Sequence, residues 1–155
     1  MQRLRVLSIA LLPVLAAVAG ILAQEPAPGA GRGARFPQVR TIALMPGEST
    51  PRPVEIGGSA LKRPVVICYL SVGEALGEEA LLDLQKLAQG ELKGKIDLYG
   101  AVRVGQRVPV IEAAERFVLL SVSVPVIVEE TLELGSTLSV TSVPSISLID
   151  AQGVL

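Results

Sequence analysis

From residue 38 onward, apolar positions come in short blocks whose period alternates between that of a strand and that of a helix. VRTIALMPG runs into a Pro-Gly turn and is followed by RPVEI, the pattern of a short β-hairpin. PVVICYL, residues 64–70, is a continuous apolar run with three β-branched residues, as expected of a central strand covered on both faces. Ser71 and Glu74 then stand at capping-box spacing, which predicts a helix start. Leu76, Ala80, Leu84 and Leu87 recur at helical spacing. Glu78, Asp83 and Lys86 are expected to face outward, with Gly90 as the stop. The alternation repeats with a strand over 96–104 and a helix from 110 to about 120, in which Glu112, Glu115 and Arg116 break the apolar surface. A strand over 124–128, a short helix over 130–138 and a strand within VTSVPSISLID follow. Asp150-Ala151-Gln152-Gly153 suits a tight reversal into a closing hairpin. Strand and helix in alternation predict an α/β sheet with helices on both faces.

The first 37 residues follow another pattern. Arg3 and Arg5 precede residues 6–23, which carry no charge and a single hydroxyl, Ser8. A basic start followed by such a run is the pattern of an export signal. Cleavage patterns end at Ala19 and at Ala23, and the second leaves Gln24 as the new terminus. The alternative is an uncleaved anchor, since 18 apolar residues lie at the lower limit for spanning a bilayer, with Arg3 and Arg5 on the cytoplasmic side. Either way the rest of the chain is expected outside the cytoplasm: periplasmic, secreted or membrane-anchored facing outward. A buried core helix fits poorly, because the segment has no polar stripe. Residues 24–37, rich in Pro, Gly and Ala, read as a linker, and 38–155 as one domain. Arg32, Arg35 and Arg40 form no functional cluster on this reading.

Composition narrows the chemistry. Of 155 residues half are hydrophobic, and 14 basic against 15 acidic residues give a net charge of −1, so no basic field points to nucleic acid. The absence of histidine removes Ser-His-Asp and Cys-His catalysis and His-ligated zinc. One cysteine, Cys68, allows neither an intrachain disulfide nor a Cys-x-x-Cys pair nor a cysteine-rich metal site. No cofactor or metal is implied. Glu74, Glu78 and Glu79 invite an acid-base or metal reading, but acids in the first turns of a helix ordinarily compensate its dipole. Cys68 sits inside the apolar run with no neighbouring cation in sequence to activate it, and is expected to be a buried core residue.

PVVICYLSVGEALGEEALLDLQKL and PVIVEETLELGSTLSVTSVPSISLIDAQGVL resemble the thioredoxin fold over residues 38–155, and more narrowly its redoxin branch, which includes TlpA-like thiol-disulfide oxidoreductases and peroxiredoxins. The resemblance places the two Cys-x-x-Cys positions at Glu74 and Gly77. A peroxidatic cysteine would fall in the same turn, and residues 71–77 contain no sulfur. The expectation is therefore the fold without its redox chemistry. In the resembled family the proline at Pro144 follows a cis bond and faces the active-site turn, and the residue before it, here Val143, offers backbone groups to an extended peptide. A plain strand start at Val143-Pro144 is the alternative. By the same resemblance a final strand and helix are missing after Leu155, so a homo-oligomer or a completing partner is expected. The function expected is an exported peptide- or protein-binding or scaffold module, with residues 6–23 as a membrane tether if uncleaved. The competing expectations are a thiol-disulfide oxidoreductase or peroxidase acting through Cys68, and a nonfunctional remnant.

Overall fold

A computed structural model describes residues 35–155, apart from 59–60, 106–107 and 132. The export segment and most of the linker therefore lie outside the described residues. The elements are β1 (Val39–Leu44), β2 (Arg52–Ile56), β3 (Val65–Leu70), α1 (Ala75–Gln89), β4 (Asp97–Arg103), α2 (Val110–Leu119), β5 (Val126–Glu129), α3 (Glu133–Thr137) and β6 (Ser145–Ile149). They form one six-stranded sheet in the order β2-β1-β5-β4-β3-β6. No helix among the described residues is long and apolar enough to cross a membrane.

The all-apolar run becomes the strand with the most cover: every residue of β3 is buried. It pairs in parallel with β4, from Val65 opposite Asp97 to Leu70 opposite Val102, and antiparallel with β6. Alternation along β3 then divides the core between the two sheet faces. Val66, Cys68 and Leu70 pack with Leu81 and Leu84 of α1 and with Ala113, Ala114 and Phe117 of α2. Val65, Ile67 and Tyr69 pack on the other side with Phe36, Leu134, Leu138 and Ile149. Helices do cover both faces, but unequally. The two long helices share one face, and the opposite face is closed by the five-residue α3 and by the segment around Phe36.

Several sequence expectations are corrected in detail. The linker does not extend to residue 37, because Phe36 is buried and its N–H donates to the Gly153 carbonyl at 2.7 Å. Ser71 and Glu74 do not form a capping box: α1 starts one residue after Glu74, which makes no side-chain cap hydrogen bond. Residues 71–74 form a turn instead, closed by the Glu74 N–H on the Ser71 carbonyl at 3.3 Å, with Gly73 at φ +81°. The face of α1 is also rotated from the expected one. Leu76 is 64% exposed, whereas Glu78 is 4% exposed and points inward. The reversal after β6 is built as expected: the Asp150 carboxylate accepts the N–H groups of Gln152 and Val154 at 2.9 and 2.8 Å, and Gly153 sits at φ +77°.

Candidate functional site

The C-terminal ends of β3 and β4 and the residues just after β5 open on a cavity of about 730 Å3. One wall is the turn after β3, through Ser71 and Val72. The other is the stretch from Val140 to Val143 that leads into β6, and Tyr69, Arg103 and Glu130 also border it. The Val143–Pro144 peptide bond is cis. Val143 lines the same cavity as Ser71 and Val72, while Pro144, Glu74 and Gly77 are not part of its lining.

Each wall is anchored by a buried carboxylate. On the turn side, Glu78 of α1 accepts the Gly73 N–H at 2.8 Å. It also accepts a two-pronged contact from Arg116 of α2, with Nε on Oε1 at 2.8 Å and Nη2 on Oε2 at 2.6 Å. The fork of a guanidinium matches a carboxylate in this way. The hydrogen bonds from Arg116 hold the Glu78 carboxyl below its ordinary range, against the opposing effect of burial. The inward turn of a glutamate on the buried face of α1 has its cause here, in a partner 38 residues away.

On the other side, Glu129 at the end of β5 is 6% exposed. Its carboxylate accepts the Tyr69 hydroxyl at 2.6 Å, the Gly135 N–H at 3.2 Å and the Leu134 N–H. Burial, and then the hydrogen bond to Glu129, push the Tyr69 phenol well above its ordinary value. Neither Tyr69 nor Glu129 stands out in the sequence as a site residue. The available signal was a charge ending the apolar block VPVIV a few residues before a short helix, the spacing of an acid that satisfies helix-start amides.

Glu74 and Gly77, the positions to which the resemblance assigns the two cysteines, lie at the start of α1. Glu74 is half-buried. Gly77 is buried where α1 presses on β3, and a Cβ there would lie 2.9 Å from the Leu70 Cβ, a close approach that only glycine allows without movement. Cys68 has no exposed surface, and burial pushes its thiol up to about 12. A thiol in that state is neither ionised near neutral pH nor reachable. Among the described residues no group of three metal-ligating side chains is placed to hold an ion, and Glu74, Glu78 and Glu79 do not converge on one.

No family model and no curated protein matches the chain. Solved structures do. A thioredoxin-family thiol:disulfide interchange protein from Chlorobium tepidum superposes with a TM-score of 0.63 at 14% identity, over 81% of this chain and 83% of its own. The exposed lipoprotein thioredoxin of Streptococcus pneumoniae gives 0.62 at 16% identity, over 76% and 84%. A secreted disulfide oxidoreductase from Mycobacterium tuberculosis gives 0.58 at 12% identity, over 75% and 78%. The fold of this chain is thioredoxin-like, the fold of thiol-disulfide oxidoreductases.

Proposed function

From a thioredoxin-like fold whose dithiol positions hold Glu74 and Gly77, we propose an exported module that binds an extended peptide or protein segment without dithiol exchange of its own. The observation that carries this reading is the groove itself, which Val143 lines together with Ser71 and Val72. An extended ligand there would meet backbone groups of Val143 on one side and apolar surface from Val72, Val104 and Val140 along its length. Binding of this kind uses main-chain hydrogen bonds and apolar contact, and needs no sulfur. Position outside the cytoplasm is supported by residues 1–23 and by the company of neighbours described as exposed or secreted.

The test is titration of the purified protein with reduced, carboxymethylated insulin B chain as an extended probe, followed by amide chemical shifts. Shifts concentrated at Ser71, Val72 and 140–143 are expected. Absence of binding, or shifts confined to α2 and β2, overturns the peptide reading. In parallel, the protein is expected to leave the rate of insulin reduction by dithiothreitol unchanged. Acceleration lost on Cys68→Ala would establish the oxidoreductase instead. Mass spectrometry of cell fractions is expected to find a terminus near Gln24 or a membrane-bound intact chain, and full-length protein in the soluble cytoplasm would remove the export reading.

A further inference from the structure

Val126, Ile127 and Val128 are apolar and buried, and a fourth apolar residue would complete β5 without burying a charge. Glu129 stands there instead, and its oxygens are used on two other elements. The Leu134 and Gly135 amides that it accepts belong to the first turn of α3. The carbonyls of those same two residues accept the N–H groups of Leu138 and Val140, both at 2.8 Å. From Val140 the chain becomes the groove wall that ends at Val143. The third donor, the Tyr69 hydroxyl, comes from β3, two residues before the opposite wall begins at Ser71. The start of α3 lies against Tyr69: a Cβ on Gly135 would be in ordinary contact with the Tyr69 hydroxyl oxygen, at 3.4 Å.

We propose that Glu129 is a positioning residue for the groove: by holding the start of α3 against Tyr69, its carboxylate sets the separation of the Val140–Val143 wall from the turn at Ser71 and Val72. The inference rests on the peptide-binding reading and adds which side chain fixes the width of the groove. An apolar residue at 129 would strand two buried amides, and the α3 segment would have to shift to rehydrate them. Glutamine keeps one acceptor oxygen in place of two, and Tyr69→Phe removes only the phenol contact.

The experiment uses the full chain and its Tyr69→Phe, Glu129→Gln and Glu129→Leu variants, with hydrogen exchange and titration by reduced, carboxymethylated insulin B chain. Exchange at Leu134, Gly135, Leu138 and Val140 is expected to quicken in that order of variants, reaching about tenfold or more for Glu129→Leu, and in Tyr69→Phe and Glu129→Gln by a larger factor than at α1 amides. Probe affinity is expected to fall in the same order. Exchange at 134–140 no faster than in the parent protein overturns the proposal, as does quickened exchange with unaltered affinity. If Glu129→Leu fails to fold, Tyr69→Phe and Glu129→Gln carry the same comparison. Should the parent protein bind no probe, the peptide reading falls, while the exchange order still decides whether Glu129 holds the wall.

Discussion

The two walls of the groove are anchored by the same chemical group in different company. Glu78 meets a guanidinium from α2 and an exposed amide of Gly73, so both of its partners reach water. Glu129 meets a buried phenol and two buried amides. The difference shows that burial of a carboxylate does not by itself predict its importance. What matters is what its removal leaves behind.

The largest expected effect breaks the symmetry of the pair directly. Glu129→Leu is expected to lower unfolding free energy by about 3 kcal/mol, since three buried donors lose their acceptor at about 1 kcal/mol each. Glu78→Leu is expected to cost about 1 kcal/mol, because Arg116, with 42% of its side chain exposed, and Gly73 both rehydrate. Urea unfolding of the two variants measures the ratio, and equal losses would abolish the distinction.

A smaller effect sharpens it through pH. The folded-state pKa of Glu78 is lowered from the ordinary 4.5, so its contribution is fully present above that value and is lost as pH falls through the lower folded-state value. The stability gap between the parent protein and Glu78→Gln is therefore expected to hold near about pH 6 and to narrow toward about pH 3. A gap that widens on acidification would contradict the ion pair.

Cys68 supplies a buried ionisable group with no partner of either kind among the described residues. Cys68→Ala is expected to cost about 0.8 kcal/mol, the loss of roughly one buried methylene equivalent. Alkylation of the folded protein near about pH 8 should run at least about a hundredfold slower than in urea, because labelling waits on opening of β3. The smallest effect belongs to Glu74→Ala, within about 0.5 kcal/mol, as its side chain makes no capping bond.

Legibility in the sequence follows the range of the interactions. The β1–β2 hairpin, the β3 run and the Asp150–Gly153 reversal are encoded by residues close together, and each forms as its local pattern dictates. The face of α1 is misjudged because hydropathy assigns Glu78 to water, while Arg116 draws it inward from a different helix. Likewise the Tyr69–Glu129 contact joins residues 60 apart, and no local rule connects them. The buried supports of the groove are tertiary facts, whereas the apolar outline of its strands is a local one. Val143 lines the groove, and neither Glu74 nor Pro144 does.

The contact between Gly77 and Leu70 bears on which substitutions the start of α1 can accept. With a Cβ at 77 falling 2.9 Å from the Leu70 Cβ, an atom that every residue but glycine carries, a side chain at 77 requires α1 and β3 to move apart, whatever stands at 70 short of glycine. Leu70 is itself 1% exposed, so such a movement would open the packed core beneath it. The packing of one helix against one strand thus reserves position 77 for glycine, cysteine included among the residues it turns away.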